Sequence, residues 1–467
     1  MDYKAKIEEY FSSHAGEMVE DIKTLVRIPS DKGAAQPGMP YGEGPARALD
    51  SALKMAEGYG FAVKNYDNYV GAADLGPEEP GLDILAHLDV VPVANNWTVC
   101  DPFDPVEKDG NLYGRGTADD KGPAVAALYA MRCVKALGVP LKKRVRWIVG
   151  TDEECGSSDI AYYYAHEPEA PMTFSPDAAF PLINLEKGRF ATDITAEFAA
   201  QASGARLVSV SSGFKGNVIP ESALAMAAGI TASEAEPACR AAAERCGVAV
   251  TLSEQDGLLH IAVKGEGGHA AFPEGANNAL TALLDIVSAL PLTGGLADSV
   301  RALHALFPHG DWAGRAVGVA QSDDVSGELT ICLNMITGTE TGLKATFDSR
   351  VPVCATHENV YEVIDRRCRE AGLHMVPSEM VAPHYVPGDT PFVKTLLRAY
   401  EDWTGNRGEC VSIGGGTYVH DLKNGVAFGC TMPGVDNREH GADEFAIVAD
   451  LVTSAKIFAQ SIIELCS

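Results

Sequence analysis

The stretch LDILAHLDVV at residues 82–91 decides the fold class of this chain. Its apolar run is typical of a strand buried on both faces, and it includes the polar residues His87 and Asp89 near its end. The stretches RVRWIVGTD at 144–152 and MTFSPD at 172–177 have the same form, with helical patterns between them. Alternating strands and helices therefore predict an α/β fold with an open, mostly parallel sheet flanked by helices.

The middle of the chain has a different pattern. From about Glu186, segments such as RFATDITAEF and LKATFDSR alternate apolar and polar residues, which predicts antiparallel strands with one solvated face. The first pattern returns near Pro383, and we expect a long amphipathic helix to begin near Asp443. The sequence thus predicts an α/β domain interrupted by an inserted α+β domain. The predicted boundaries are 1–185 and 383–467 for the first domain and 186–382 for the insertion.

The composition limits the classes of partner. With 37 Lys and Arg against 64 Asp and Glu, the formal net charge is −27, which argues against binding to nucleic acid or to anionic membranes. The N-terminus is charged, and no apolar run approaches the roughly 20 residues that span a bilayer. The 11 cysteines include no C-x-x-C pair, so we expect free thiols, a reducing compartment and a cytoplasmic protein.

The three predicted strands of the first domain end in side chains that can bind metal ions. Their ends supply His87, Asp89, Glu153, Glu154 and Asp177. The stretches NLYGRGTADDKG and REHGADE add Asp119, Asp120 and His440. Ligands of open α/β sheets bind outside the carboxyl ends of the strands, so we expect these groups to converge at one edge. Mixed imidazole and carboxylate donors suit zinc, cobalt or manganese.

Two short patterns within this set suggest separate roles. In His87-x-Asp89, residues two apart on a strand point to the same side, so Asp89 can accept the second imidazole N–H of a metal-bound His87. In Glu153-Glu154, one carboxylate can bind metal while its neighbour takes a proton from an activated water. The spacing does not say which glutamate has which role.

Other chemistries lack their motifs in this chain. It has no G-x-S-x-G nucleophile elbow, no G-x-x-x-x-G-K-[ST] phosphate loop and no H-E-x-x-H helix. The glycine-rich stretches GEGGHA and IGGGTY do not complete G-x-G-x-x-G and are interpreted as tight turns. The residues therefore favour a metal centre over the common alternatives.

Five stretches, in order along the chain, carry a family resemblance: ILAHLDVVP, LYGRGTADDKG, GTDEECGSSD, FSPD and HGADE. They resemble the co-catalytic zinc peptidases related to aminoacylase, carboxypeptidase G and carnosinase. Within these, the chain looks most like the PepV-type bacterial dipeptidases. The matching motifs run from about residue 84 to residue 444, and their order and spacing fit along almost the whole chain.

The resemblance implies two divalent metal ions per chain, zinc first, with manganese or cobalt as alternatives. The implied ligands are Asp119 as the bridge, His87 and Asp177 for one ion, and Glu154 and His440 for the other. Glu153 would be the general base, and Asp89 would orient His87. Asp120 would be only the neighbour of the bridging residue, joined to it by a cis peptide bond.

The inserted domain matches the family at three further places. The resemblance implies that Asn217, in GNVIP, contacts substrate and that His269, in GEGGHA, stabilises the oxyanion. Arg350, in FDSRVP, would bind the C-terminal carboxylate of the substrate through its planar two-pronged donor, with a surface ion pair as the alternative. Gly415, in GGGTY, is a fourth expected substrate contact.

The length of the insertion bears on assembly. The 186–382 insertion is about twice the length of the single module through which shorter relatives dimerise. The resemblance therefore implies a doubled lid that supplies His269 within one chain, and a monomer.

After GGGTY, near Gly415, the chain departs from its relatives. It has Val419-His420 where relatives have a small residue and Arg, and the role of His420 stays open.

The sequence accordingly predicts a metal-dependent dipeptidase acting on short peptides with a free C-terminal carboxylate. Glu153 would take the proton of a water bound by both metals. One alternative is an N-acyl amino-acid deacylase on the same machinery. The other is a catalytically silent metal-binding protein, whose mark would be loss of Glu153 or of a metal ligand. None of these residues is lost in this chain.

Overall fold

The computed structural model describes residues 3–467. The chain divides into two compact units. Met1–Leu185 and Tyr385–Ser467 form the first unit, and Glu186–His384 forms the second. The return to the first unit therefore comes two residues later than the predicted boundary at 382, within the short strand His384–Tyr385.

The first unit contains a mixed sheet with a parallel centre. The central parallel strands are, in spatial order, Arg144–Gly150, Pro80–His87, Met172–Ser175 and Gly425–Ala427. Antiparallel strands extend the two sides of this centre, namely Val70–Leu75 and Ala62–Tyr66 on one and Ile183–Glu186 on the other. The predicted α/β class is confirmed, with the parallel pairing confined to the centre of the sheet.

Both faces of this sheet are covered, which explains the apolar run at 82–91. Leu82, Ile84 and Ala86 pack in one core and Leu85 packs in another, because successive strand residues point to opposite faces. The helices of the first core are Lys4–Val26, Glu43–Gly58, Lys121–Ala136, Pro391–Thr404 and Val448–Cys466. The second core includes the helix Ser158–Tyr164 and residues of the segment 418–422.

The last helix begins later than the sequence predicts. It starts at Val448 and not near Asp443. Residues Phe445–Ile447 form a short strand paired with Asn111–Tyr113, so their backbone hydrogen bonds are used by a sheet. The Asp443 carboxylate accepts hydrogen bonds from the backbone and hydroxyl of Thr98. These long-range partners hold the segment outside the helix.

The second unit is an antiparallel sheet covered by helices. Its strands, in spatial order, are Ala249–Gln255, Leu258–Lys264, Ser222–Ala228, Arg206–Ser212, Thr330–Thr339, Gly342–Val351, Gly188–Glu197 and His374–Met375. The helices that pack into its core are Ala232–Cys246, Ala279–Ala289, Gly295–Leu306 and Glu362–Glu370. This architecture confirms the predicted α+β class of the insertion.

Two further sequence expectations concern helices and thiols. Across residues 3–467, none of the helices combines the length and the apolar character needed to cross a membrane. The 11 cysteines, all of which fall within these residues, are free thiols. The thiols thus agree with the expectation drawn from cysteine spacing.

The aromatic core of the first unit gives a stability prediction. Phe458 is fully buried, and its ring lies 5.1 Å from that of Phe174 and 6.0 Å from that of Phe428, measured between centroids. Phe458→Ala should lower the free energy of unfolding by about 3–5 kcal/mol, because it removes these contacts and leaves a cavity. Urea denaturation followed by circular dichroism measures the change.

The control makes the same substitution at an exposed position. Phe214 is 80% exposed, so Phe214→Ala should change the free energy of unfolding by less than about 0.5 kcal/mol. Equal losses in the two variants would contradict the assignment of Phe458 to the core.

Candidate metal centre

Parallel pairing brings the candidate residues of the first unit to one edge of its sheet. His87 ends its strand directly opposite Gly150 on the neighbouring strand. Glu153 and Glu154 follow Gly150 in a short 3-10 helical turn, Glu153–Cys155. Met172–Ser175 pairs with the other side of the His87 strand and leads to Asp177. The predicted convergence at the carboxyl edge is therefore present in the geometry.

Asp119 lies at the centre of two groups of possible ligands. Nε2 of His87 is 3.0 Å from Oδ1 of Asp119 and 3.4 Å from Oδ2 of Asp177. Nε2 of His440 is 3.0 Å from Oδ2 of Asp119 and 3.3 Å from Oε1 of Glu154. In each group, the donor atoms lie within 4.8 Å of one another. The two oxygens of Asp119 thus face different imidazoles, as a bridging carboxylate requires.

The residues of this cluster fit divalent cations. Nε2 of His87 is buried and makes no hydrogen bond within residues 3–467, although two carboxylate oxygens lie within 3.4 Å of it. Burial and the negative charge of Asp119 raise the pKa of Asp177. A cation between these groups would use the free nitrogen and neutralise the carboxylates. The nitrogen and oxygen donors suit zinc, manganese or cobalt.

A buried glutamate holds the loop that carries Asp119. Oε1 of Glu444 accepts hydrogen bonds from the backbone N–H groups of Gly116 and Ala118, each at 3.0 Å, and of Asp119 at 3.3 Å. Its other oxygen accepts one from Arg115. Glu444 is not among the predicted site residues, although it is the last residue of the HGADE stretch that carries the family resemblance. Glu444 therefore fixes the backbone that presents the central carboxylate.

Asp89 has a different position and a broader role than the sequence predicts. It lies beyond the end of the strand Pro80–His87, so the argument that it shares a strand face with His87 is wrong. Nδ1 of His87 lies 3.0 Å from the backbone oxygen of Asp89 and 3.5 Å from its Oδ1. The Asp89 carboxylate also accepts hydrogen bonds from the backbone N–H groups of Glu153 and Glu154, at 3.2 and 3.1 Å.

Asp120 is more than a neighbour of Asp119. Its Oδ2 accepts a hydrogen bond of 2.9 Å from the backbone N–H of His87. The peptide bond between Asp119 and Asp120 is cis, as the family resemblance implies. Both aspartates therefore connect the start of the helix Lys121–Ala136 to His87 at the strand end. The Asp119 carboxylate lies beside the imidazole of His87, and the Asp120 carboxylate binds its backbone N–H.

Within the second unit, Asn217 lies in the turn directly before a short strand that pairs with the strand of His269. Val218–Ile219 pairs with Gly268–His269, and the backbone oxygen of Asn217 accepts a hydrogen bond of 3.0 Å from Ala270. Oδ1 of Asn217 is buried and has no hydrogen-bond partner within residues 3–467. Burial lowers the pKa of His269, and the positive charge of Arg350 lowers it further. The three predicted residues of the insertion are thus grouped in one region of this unit.

Arg350 is buried and paired within its own strand. Its Nε donates a hydrogen bond of 2.9 Å to Oδ1 of Asp348, and its Nη2 donates one of 3.3 Å to Oδ2. The alternative of a surface ion pair is therefore wrong, since Arg350 is only 5% exposed. Asp348, which precedes Arg350 by two residues in FDSRVP, is not among the predicted site residues. Asp348 fixes the plane of the guanidinium group.

Gly415 and His420 flank a buried tyrosine. Gly415 is exposed in the turn after the strand Val411–Ile413. The backbone N–H of His420 donates a hydrogen bond of 3.0 Å to the backbone oxygen of Thr417. Tyr418, between them, is buried beside His87. In this part of the first unit, Tyr418 is the residue that contacts His87.

The comparisons with known proteins agree with this geometry. Residues 84–464 match the peptidase family M20/M25/M40. The chain belongs to this family. Membership confirms the resemblance carried by the five motifs and makes the protein a metallopeptidase.

Curated relatives of this M20 peptidase cover nearly its whole length. YtjP, a proposed dipeptidase of Bacillus subtilis strain 168, is 34% identical over 96% of this chain and 97% of its own. The beta-Ala-Xaa dipeptidase of Lactobacillus delbrueckii subsp. lactis is 32% identical over 96% of both chains. The solved aminoacylhistidine dipeptidase of Vibrio alginolyticus shares the fold, with a TM-score of 0.61, 14% identity and 96% coverage of both chains.

In this M20 peptidase, Glu153 stands beside the cluster but outside both ligand groups. Burial raises the pKa of Glu153 to about 8, and the nearby negative charges of Asp177 and Glu154 add to the shift. Its neighbour Glu154 points an oxygen at His440. The geometry therefore distinguishes the two glutamates, because Glu154 is in a ligand group and Glu153 is not. The sequence spacing makes no such distinction.

The shared position of Asp119 generates a prediction about metal content. Asp119→Ala should reduce binding of both ions, because its two oxygens face the two groups, whereas His87→Ala should weaken mainly one. Elemental analysis of protein purified with a single added divalent ion measures the content per chain.

The control is His166→Ala, which removes an exposed imidazole whose Nδ1 lies 2.8 Å from the backbone oxygen of Tyr162 and whose ring packs against the Tyr162 ring. It should retain the metal content of the unaltered chain. An Asp119→Ala protein that still holds two ions per chain would show that Asp119 is not the bridge.

Proposed function

We propose that this M20 peptidase is a dipeptidase that hydrolyses short peptides with a free C-terminal carboxylate. The observation that carries the proposal is the pair of ligand groups that share Asp119 beside the non-ligating Glu153. The names of the relatives, including a beta-Ala-Xaa dipeptidase, support a dipeptide substrate.

We assign His87 and Asp177 to one ion, Glu154 and His440 to the other, and Asp119 to both. When bound, two divalent ions would polarise the scissile carbonyl and lower the pKa of the attacking water. Zinc is the first expectation, and manganese and cobalt suit the same donors. The remaining chemistry depends on side chains of the chain itself.

Glu153 is the proposed general base. Its carboxylate accepts the proton of the attacking water and passes it to the nitrogen of the leaving amino acid. The Asp89 carboxylate holds the Glu153 backbone N–H, which limits the positions that the side chain can reach.

The second unit contributes the proposed substrate contacts. His269 stabilises the negative charge that develops on the carbonyl oxygen, and Asn217 adds a polar contact to the same part of the peptide. Arg350 binds the terminal carboxylate in two-pronged geometry, with Asp348 fixing its orientation. Gly415 is a proposed backbone contact of the first unit.

A deacylase acting on N-acyl amino acids is the second candidate, because it would use the same metal centre and the same carboxylate anchor. A catalytically silent protein is disfavoured, since Glu153 and all five proposed ligands are present. A monomeric, cytoplasmic enzyme remains a prediction, for which the free cysteines support the compartment.

Glu153→Gln tests the base directly. The amide cannot accept the proton, so kcat should fall by about 10²–10⁴-fold, while both metal ions remain bound because Glu153 is not a ligand. Turnover of a dipeptide and metal content should be measured on the same preparation.

Glu244→Gln is the matched control, since it makes the same change at an exposed position of the helix Ala232–Cys246. Its kcat should equal that of the unaltered enzyme. Near-normal turnover in a fully metallated Glu153→Gln protein would remove the base assignment.

Arg350→Ala tests the carboxylate anchor. It should raise KM strongly for a free dipeptide and have little effect on the matched dipeptide amide, which has no carboxylate to bind. A tripeptide should be a poor substrate of the unaltered enzyme, because the anchor fixes the distance from carboxylate to scissile bond.

Arg206→Ala is the control, since it also breaks an arginine–carboxylate pair in the second unit, with Glu340. Its KM values should be unchanged. Equal kcat/KM of the unaltered enzyme for dipeptide, amide and tripeptide would contradict both the anchor and the dipeptidase proposal. Activity confined to N-acyl amino acids would favour the deacylase.

A further inference from the structure

Two buried aspartates hold four consecutive backbone N–H groups around Glu153. Oδ2 of Asp159 accepts hydrogen bonds from Thr151 at 2.6 Å and from Asp152 at 2.9 Å. The Asp89 carboxylate accepts those of the next two residues, Glu153 and Glu154. The backbone of residues 151–154 is therefore fixed at every amide by a carboxylate.

Asp159 has a further donor from a distant part of the chain. The hydroxyl of Tyr418 donates a hydrogen bond to the same Oδ2, and its Oδ1 accepts the backbone N–H of Ile160 at 2.7 Å. Asp159 and Tyr418 are both buried, at 0% and 4% exposure. A buried carboxylate is costly unless its oxygens are satisfied, so the tyrosine stabilises Asp159 in this position.

The approach of Tyr418 requires a glycine at the strand end. A Cβ atom on Gly150 would lie 1.8 Å from the Tyr418 hydroxyl oxygen and 2.4 Å from Oδ2 of Asp159. Both distances are far below van der Waals contact, so a side chain at position 150 would displace the hydroxyl or the carboxylate. The absence of a side chain at Gly150 thus makes room for this hydrogen bond.

Tyr418 also contacts the metal-binding side of the site. Its ring lies edge-on to the imidazole of His87, with centroids 6.1 Å apart and planes at 79°. It directly follows the glycine-rich turn 414–417. One side chain therefore touches the imidazole of His87 and the carboxylate that holds the segment leading to Glu153.

We propose that Asp159 and Tyr418 are positioning residues for Glu153. The inference rests on the proposed function, since it needs Glu153 as the base. Asp159 fixes residues 151 and 152, and Tyr418 fixes Asp159, so loss of the hydroxyl loosens the segment directly before Glu153. Misplacement of a catalytic group by about 1 Å can lower turnover by about 10²-fold.

The test compares Tyr418→Phe with Tyr163→Phe. Tyr163 is a buried tyrosine of the same core and of the helix that carries Asp159, but its hydroxyl accepts a hydrogen bond from Arg146 at 2.9 Å. The two substitutions remove the same atom from the same core. Asp159→Asn is a second variant, because its NH2 group cannot accept the hydrogen bonds that the lost oxygen accepts.

Three quantities are measured on the full-length protein. Hydrogen–deuterium exchange of the amides at 151–154 should become at least about 10-fold faster in Tyr418→Phe and Asp159→Asn, and stay unchanged in Tyr163→Phe. For a dipeptide substrate, kcat should fall at least about 10-fold in the first two variants with KM within about 2-fold. Metal content should equal that of the unaltered enzyme.

Each result has one interpretation. Unchanged exchange at 151–154 in Tyr418→Phe, or an equal change in Tyr163→Phe, overturns the positioning role. Faster exchange with unchanged kcat overturns its link to catalysis. Loss of metal ions shows that Tyr418 acts on a proposed ligand, His87 or Glu154, and overturns a role confined to positioning Glu153. If the unaltered enzyme hydrolyses no dipeptide, the proposed function fails, while the exchange comparison still decides whether Asp159 and Tyr418 hold this segment.

Discussion

A buried carboxylate is stable only when hydrogen-bond donors or a cation compensate its charge. The arrangement of residues at the carboxyl edge of the first sheet depends on this constraint. Glu444, Asp89 and Asp159 are satisfied by backbone N–H groups of the loops around them. Asp119 and Asp177 instead turn their oxygens towards imidazole nitrogens. The acids thus form two sets, one that fixes loops and one that is arranged to bind positive charge.

The loop-fixing set explains how flexible segments can present ligands accurately. Asp119 is in a loop, but its backbone is tied to Glu444, which comes more than 300 residues later. Glu153 follows a strand, and the amides before and after it are held by Asp159 and Asp89. Preorganised ligands lose little entropy when an ion or a substrate binds, which is why such outer contacts contribute to metal sites and catalysis.

The same constraint appears independently in the second unit. Asp348 and Arg350 are both buried, and each satisfies the other through two hydrogen bonds. The sequence resemblance pointed to Arg350 but not to its partner, because an aspartate in a strand pattern looks like a solvated residue. For Asp89, only the strand-face argument is wrong, because the strand Pro80–His87 ends at His87, before Asp89.

The sequence by itself determined the order of strands and helices, the donor types of the metal cluster and the family, because these depend on local apolar patterns and on short motifs. It also predicted which stretches end at the binding edge. Only the tertiary structure decided which donor each carboxylate accepts from: backbone N–H groups at Glu444 and Asp159, and the Tyr418 hydroxyl at Asp159. Those partners are separated by up to hundreds of residues, and a hydrogen bond depends on distances of tenths of an ångström, which no local pattern encodes.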